Sequence, residues 1–328
     1  MIRSAVLVGV CVVPPACLLA EWLWNRRRAR PPAPAPYSDA PALGWRPWGS
    51  LAALLAIVFT AVPVLGTDGA FERAGLVNAK GGPIGMSGLF VFLLVPFALS
   101  GVLVLAWTRF VERRSLATIG LKGAGAAPAY LRGHAIGLAT SGALVAAIGL
   151  AGGYTAGAWW PAFGSPRALA DAAILLACFA VQAGVEEILF RGWLLSAVAR
   201  RLGRASAVVV TSAVFTLLHY SPHQHALVTL VSALFSVFTC AWALDADDLW
   251  GVMGWHASWN WLIGTGFELP ITGFDTHLPA LFVRLSPRGP EVLTGGAEGP
   301  EGSVLCSLFF AGASALLLVR ARRTSRVR

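Results

Sequence analysis

Long uninterrupted runs of apolar residues are the main pattern along the chain. A helix needs about 20 apolar residues to cross the hydrocarbon core of a bilayer, and many of the runs approach that length. Nine runs can be drawn, at residues 4–24, 49–66, 87–108, 134–152, 168–190, 204–220, 226–244, 249–267 and 303–319. Because Pro14 and Pro15 interrupt the first run, the pattern predicts an all-α polytopic membrane helix bundle with eight or nine spans.

The composition supports a membrane protein. Hydrophobic residues make up 56% of the chain and charged residues only 12%, whereas a soluble domain carries about 25% charged residues. The first run starts close to Met1, and residues 21–30 contain no small-residue cleavage site for a signal peptidase. We therefore interpret the first run as a retained span.

Basic residues cluster at the ends of the apolar runs, at 25–30, 109–114, 200–204 and 320–328. The formal net charge of +9 could suggest a nucleic-acid partner. However, no basic cluster is interleaved with the aromatic residues that a groove for stacked bases would need. Under the positive-inside rule, the clusters instead place these run ends and the carboxyl terminus in the cytoplasm. The basicity is thus attributed to topology, and no nucleic-acid partner is expected.

Four segments can be separated along the chain. Residues 1–165 hold about four spans and a Pro-rich linker at 30–36, which the charge pattern places in the cytoplasm. Residues 166–268 form the candidate catalytic core, because most of the polar residues inside apolar runs fall there. Residues 269–302 are rich in Gly and Pro and are predicted to be an external loop. Residues 303–328 are predicted to be the last span followed by a basic cytoplasmic tail.

Ionisable residues inside an apolar run are functional candidates, because each costs roughly 2.5–3.5 kcal/mol on insertion scales. The candidates are Glu186, Glu187 and Arg191 in one run, His219 in the next, and His256 with the amide Asn260 in a later one. Glu187 and Arg191 are four residues apart, as are His256 and Asn260. Each pair therefore shares one face of a helix.

Helix geometry allows these side chains to meet. If Gly203 is the turn of a helical hairpin, Glu186 and His219 both lie about 24–26 Å from that turn. His256 and Asn260 lie about 12–22 Å from the acidic link 245–248 on the same side. An alternative is that Gly192 breaks the helix and residues 193–204 lie along the membrane surface, which would bring the site nearer to the cytoplasm.

The chemistry of this residue set suits hydrolysis of an amide. A carboxylate beside a histidine, with a water between them, is what a general base needs to activate the water. A second histidine and an asparagine amide could donate hydrogen bonds to the oxyanion that forms. Each residue alone could equally belong to a polar cluster that holds helices together or to the proton relay of a transporter.

Three short motifs carry a resemblance to a known family. Residues 186–191 read EExxxR, residues 215–219 read FxxxH, and residues 256–260 read HxxxN. In this order, on successive late spans, they resemble the CPBP family of intramembrane proteases, also described as CAAX prenyl protease, Abi or glutamic-type. The resemblance covers residues 186–260.

The resemblance implies a role for each matched residue. Glu186 would activate the water, with His219 as its partner, and His256 and Asn260 would stabilise the oxyanion. The supporting residues would be the ion pair Glu187 and Arg191, and the packing residue Phe215. No metal is expected, and the alternative is zinc bound by Glu186, His219 and His256.

The function implied is that of an intramembrane endopeptidase. It would cut a membrane-anchored protein substrate in the lipid bilayer near its C-terminus, in a bacterial inner membrane. A sorting role similar to that of the myxosortase or exosortase enzymes is one form of this activity.

Other interpretations compete with this one. A non-enzymatic transporter should show paired repeats with broken helices, and the sequence shows none. An immunity-type binding protein would not need all three motifs. Ser87 lies in a GxSG sequence like that of rhomboid serine proteases, but His256 lacks the glycine context of a rhomboid base. His223 and His225 could join His219 in a metal cluster, although we expect them in an interfacial loop.

Overall fold

A computed structural model of the protein describes residues 36–37, 42–79, 81–222 and 224–327, with the side chains of the last helix described as far as Arg320. The run at 4–24 and nearly all of the Pro-rich linker lie outside these residues. The structure is 72% helical. The prediction of an all-helical membrane protein is therefore confirmed at this level.

Nine α-helices of eight residues or more follow one another along the described chain. They are α1 Gly49–Arg73, α2 Gly85–Ala106, α3 Ala126–Leu150, α4 Pro166–Glu186, α5 Leu195–Leu202, α6 Arg204–Leu218, α7 Ala226–Ala246, α8 Trp250–Trp261 and α9 Val304–Val327. A π-helical segment, Glu187–Leu194, joins α4 to α5, so that Pro166–Leu202 is one continuous helical element. Similar π-helical turns extend α2 to Val111 and α8 to Gly266.

Five helical elements of the described chain are long and apolar enough to cross a membrane. They are Gly49–Arg73, Gly85–Val111, Ala126–Leu150, Pro166–Leu202 and Ala226–Ala246. The predicted runs at 204–220, 249–267 and 303–319 also form helices, and the apolar stretches Arg204–Leu218 and Val304–Arg320 are shorter than these five elements. The 15 residues of α6 extend about 22 Å, less than the roughly 30 Å of a bilayer core. The protein is integral to the membrane, and the predicted count of eight or nine spans is not confirmed.

Three of the four predicted basic clusters, those that begin at residues 109, 200 and 320, meet at one end of the bundle, here called the basic face, and the cluster at 25–30 lies outside the described residues. The basic face comprises residues 42–48, 112–125, 199–204 and 245–250, together with the end of α9 at Arg320. Hydrogen bonds and an ion pair tie these segments together: Gly44 N–H to Glu112 O, Leu249 N–H to Gly120 O, Arg114 Nη1 to Ser196 Oγ, and Arg320 with Asp245. The turn at Gly203, which has φ 83°, lies here as predicted.

A folded segment of residues 267–303, here called the cap, lies at the opposite end of the bundle. Its strand β2, Val283–Pro287, pairs antiparallel with β1, Tyr154–Trp159, and a helical turn follows at Glu291–Thr294. The buried carboxylate of Glu301 accepts a hydrogen bond from Trp259 Nε1 of α8 at 2.8 Å. The segment predicted as a Gly/Pro-rich external loop therefore has secondary structure and is anchored to the bundle.

Small residues bring α3 and α8 into close contact. A Cβ at Gly133 would lie 1.9 Å from the carbonyl oxygen of Gly251, and one at Gly254 would lie 2.1 Å from that of Tyr130. Ser258 Oγ also donates to the carbonyl of His134, at 2.9 Å. In a membrane, helices associate through such close packing rather than through the hydrophobic effect. This contact fixes the position of the helix that carries His256 and Asn260.

Gly137→Ala should destabilise the protein by about 1–3 kcal/mol, because over-packing a close contact costs that much. The new Cβ would lie 2.0 Å from Ser258 Oγ and 2.4 Å from the carbonyl oxygen of Trp255. Gly142→Ala on the same helix is the matched control, since its nearest contact is at 3.8 Å. Thermal unfolding in detergent, followed by tryptophan fluorescence, should separate the two variants. Equal melting temperatures would contradict this account of the packing.

Candidate active site

The helix that carries Glu186 changes its hydrogen-bonding pattern at the next residue. Residues Glu187–Leu194 form a π-helix, a conformation that is frequent at functional sites. Tyr37 Oη donates a hydrogen bond to the carbonyl oxygen of Arg191 at 2.6 Å. Gly192 lies against Ile119, whose carbonyl oxygen would be 2.6 Å from an added Cβ. The alternative in which Gly192 breaks the helix is thus wrong, because the glycine allows close packing inside a continuous helix.

One cavity of about 330 Å³ is lined by all four residues that the sequence assigns to catalysis. Glu186 comes from the end of α4 and His219 follows α6, while His256 and Asn260 lie on α8. The wall is largely apolar and aromatic, with contributions from α1 and α2 as well as from the core. The depths estimated from helix lengths therefore agree with the structure, and the catalytic roles themselves stay predictions.

The Glu186 carboxylate faces a ring nitrogen of each histidine. His219 Nε2 lies 4.0 Å from Glu186 Oε1, and His256 Nε2 lies 3.9 Å from Glu186 Oε2. These separations are too long for a direct hydrogen bond. If a water lay about 2.8 Å from both atoms of either pair, the angle at the water oxygen between the histidine nitrogen and the carboxylate oxygen would be about 90°. This angle is acceptable for a bridging water. The arrangement can therefore hold a water between the carboxylate and a histidine.

The other ring nitrogen of each histidine is held by a hydrogen-bond acceptor. His219 Nδ1 donates to the carbonyl oxygen of Phe215 at 2.9 Å, and the two rings stack 4.0 Å apart. His256 Nδ1 lies 2.8 Å from Glu187 Oε1 and donates to it. In a neutral imidazole with its proton on Nδ1, Nε2 is an acceptor. The oxyanion role that the resemblance implies for His256 thus requires its imidazolium form.

Glu187 and Arg191 form the predicted buried pair, with Arg191 Nη1 3.3 Å from Glu187 Oε1 and both side chains fully buried. The Arg191 guanidinium also lies over the ring of Phe215, 4.3 Å from its centroid, and 5.4 Å from that of Phe235. Such cation–π contacts are strongest where water is excluded. Phe215 therefore contacts both the ion pair and His219, which gives the predicted packing residue a defined place.

Asn260 is oriented by a residue that the sequence motifs do not include. Its Nδ2 donates to Gln182 Oε1 at 3.3 Å, which leaves a second amide hydrogen available. Gln182 lies one helical turn before Glu186 and lines the same cavity. A polar side chain four residues before Glu186 in an apolar run was the signal that could have identified it. Phe235 carried no comparable signal, since it is one of several phenylalanines in an apolar helix.

The proposed zinc ligands are close together, but their spacing does not match a zinc site. Their chemistry is suitable, because both histidine Nε2 atoms are acceptors that face the Glu186 carboxylate. Two ligands about 2.0–2.1 Å from a tetrahedral zinc ion lie about 3.3 Å apart, shorter than the 3.9 Å and 4.0 Å found here. Among the described residues, no group of three His, Cys, Asp or Glu side chains is arranged to hold a metal ion. The zinc alternative stays a prediction for experiment.

Two other sequence candidates lie away from this site. Ser87 is on the first turn of α2 and is not among the described residues that line the cavity. His225 is exposed and pairs with Glu291 at 3.1 Å, and His223 lies outside the described residues. The structure thus brings neither Ser87 nor His225 into the group around Glu186.

A comparison with protein-family models gives one match. Residues 168–262 match the model described as "Type II CAAX prenyl endopeptidase Rce1-like". This segment, here called the Rce1-like domain, is similar to that family. No curated protein and no solved structure is similar enough to the chain to count as a match.

The Rce1-like domain contains every residue of the group around Glu186. It includes Gln182, the ion pair, Phe215 and Phe235, as well as both histidines and Asn260. The family is one of proteases that act on membrane-associated protein substrates. Parts of the cavity wall lie outside the matched residues, on α1, on α2 and on the cap.

Glu187→Ala and Arg191→Ala should each destabilise the protein by about 3–5 kcal/mol, because each leaves a buried charge without its partner. The yield of folded protein in detergent should fall accordingly. Glu291→Ala is the control, since Glu291 pairs with His225 at 3.1 Å and both of these side chains are exposed. An exposed pair contributes only about 0–1 kcal/mol. Normal yield and melting temperature for both core variants would show that the two residues are not a buried pair.

Proposed function

We propose that the protein is an intramembrane endopeptidase in which Glu186 activates water for attack on a peptide bond. The observation that carries the proposal is the convergence of the Glu186 carboxylate with Nε2 of two histidines in one cavity. Hydrolysis needs a base close to a water, and both histidines are oriented so that Nε2 faces the carboxylate. The match of residues 168–262 to a protease family supports the same activity.

The proposed reaction begins with a water between Glu186 and His219. Glu186 accepts one proton of this water, while His219 Nε2 accepts a hydrogen bond from the other. The resulting hydroxide adds to the carbonyl carbon of the scissile bond. When the C–N bond breaks, the departing amine takes the proton from Glu186, so the carboxylate is regenerated.

The negative charge on the carbonyl oxygen is stabilised by two donors on α8. Asn260 offers the amide hydrogen that Gln182 does not accept. His256 in its imidazolium form offers Nε2–H, which faces the same side of the cavity as Glu186. Donors placed before the reaction begins lower the barrier because they need not reorganise.

The substrate in this proposal is a membrane-anchored protein that is cut near its C-terminus. The apolar and aromatic wall of the cavity suits apolar side chains next to the scissile bond. Removal of a C-terminal tail, as in a sorting enzyme, is one activity of this kind. A non-enzymatic binding protein would need the same cavity but would not need Glu186 as a base.

Glu186→Gln should abolish cleavage while the protein stays folded, because the amide cannot accept the proton of the water. The C-termini of membrane proteins would be compared by mass spectrometry in cells that produce the parent or the variant. Glu72→Gln, which changes an exposed glutamate on α1, is the control. If membrane proteins had identical C-termini in cells with the parent and in cells with Glu186→Gln, the protease proposal would be wrong and a binding role would be favoured.

Asn260→Ala should lower turnover by about 10²–10³-fold and leave substrate binding nearly unchanged, as loss of one oxyanion donor does. The rate would be measured in detergent with a peptide that spans the cleavage site found above. Asn78→Ala removes an exposed asparagine near the start of α2 and serves as the control. A change in KM alone would assign Asn260 to substrate binding instead.

1,10-Phenanthroline should leave cleavage unchanged at concentrations that preserve the fold, and purified enzyme should hold no stoichiometric zinc by elemental analysis. A metal-free mechanism uses the Glu186 carboxylate alone as the base. A bound zinc ion would instead lower the pKa of its water, and His219, His256 and Glu186 would be its ligands. Inhibition that is reversed by added zinc would establish that alternative and leave the protease assignment intact.

A further inference from the structure

The cavity extends to the cap end of the bundle. Its lining includes three partly exposed polar residues at that end: Asp68 near the end of α1, Gln224 just before α7, and Glu298 in the cap. No residue of the basic face is among the described lining residues. His219 itself follows the last residue of α6, whose first residue, Arg204, is on the basic face.

The two ends of the bundle differ in their basic residues. The basic face carries Arg46, Arg113, Arg114, Lys122, Arg200 and Arg204, and Arg320 lies at the end of α9. The described residues of the cap end carry fewer cations, namely Arg73, Arg167, Arg284 and Arg288, and Arg284 is paired with Glu268 at 2.6 Å. The excess of Lys and Arg in short connections marks the cytoplasmic side of a membrane protein.

We propose that the catalytic cavity opens to the side of the membrane opposite the cytoplasm. The substrate class inferred here rests on the proposed protease function. The inferred orientation in the membrane rests only on the position of the cavity and on the unequal distribution of basic residues. A substrate must then present its scissile bond at the non-cytoplasmic surface. The substrate class is a translocated or exported protein, cut beside its membrane anchor on the outer side.

The chemistry of the entrance fits this class of substrate. Apolar residues of a membrane anchor can contact the wall formed by Phe92, Phe97 and Phe179. The polar residues at the mouth can contact the adjoining extramembrane chain, which is hydrated. Peptides that remain in the cytoplasm would meet the basic face, where the described structure places no part of the cavity.

Labelling of single cysteines in whole cells tests the orientation. Ala297→Cys places a thiol on the exposed cap beside Glu298, and Ala124→Cys places one on the exposed loop before α3 on the basic face. In bacterial cells with a permeabilised outer membrane, a membrane-impermeant maleimide should label Ala297→Cys at least tenfold more than Ala124→Cys. Both should react after lysis, and the parent chain gives the background of the native cysteines. Equal labelling in cells, or labelling of Ala124→Cys alone, would overturn the proposal.

Membrane vesicles of defined orientation test the substrate side. A water-soluble peptide spanning the cleavage site should be cut by right-side-out vesicles and spared by sealed inside-out vesicles, with Glu186→Gln vesicles as the blank. Cleavage only by inside-out vesicles would overturn the proposed side. If the thiols label as expected and no vesicle cuts the peptide, the orientation stands and the protease function fails.

Discussion

The buried carboxylate of Glu187 is the group on which the arrangement of the site depends. It contacts the Arg191 guanidinium at 3.3 Å and His256 Nδ1 at 2.8 Å, and it is fully buried. An ion held in an apolar interior without compensation costs several kcal/mol, so each partner must stay close. Because Arg191 lies over Phe215, and the carbonyl of Phe215 holds His219, one connected set of contacts orients both histidines. Two helical elements, α6 and α8, are thereby fixed relative to Glu186.

Much of this could be predicted from the sequence because the relevant signals are local. Helix length and four-residue spacing were sufficient to place Glu186, His219 and His256 at similar depths. The π-helical segment Glu187–Leu194 was not predictable in this way, because a shift in backbone hydrogen bonding leaves the pattern of apolar residues unchanged. Which ring nitrogen of each histidine carries the proton could not be predicted from the sequence either, since it depends on the hydrogen-bond acceptors that the fold supplies.

The Gly/Pro-rich segment shows a different limit. Its composition predicts a loop, and hydropathy gives no sign that Glu301 is buried against Trp259 or that Val283–Pro287 pairs with a strand more than a hundred residues earlier. Such contacts join distant parts of the chain, so no local pattern reveals them. The cap and the first two helices line part of a cavity in which the group around Glu186 comes entirely from the Rce1-like domain. Under the proposed function, the residues that would select a substrate and those that would cleave it are thus on separate parts of the chain.

The short helix α6 has a consequence for the supply of water to a hydrolytic reaction. A helix of about 22 Å does not match a hydrocarbon layer of about 30 Å, and bilayers respond to this hydrophobic mismatch by thinning locally. Around α6, such thinning would draw the layer of lipid headgroups and interfacial water inward toward the end of the helix, where His219 lies. The proposed hydrolysis consumes one water per turnover. The same shortness that leaves α6 below the length of a full span would thus bring the aqueous boundary close to Glu186.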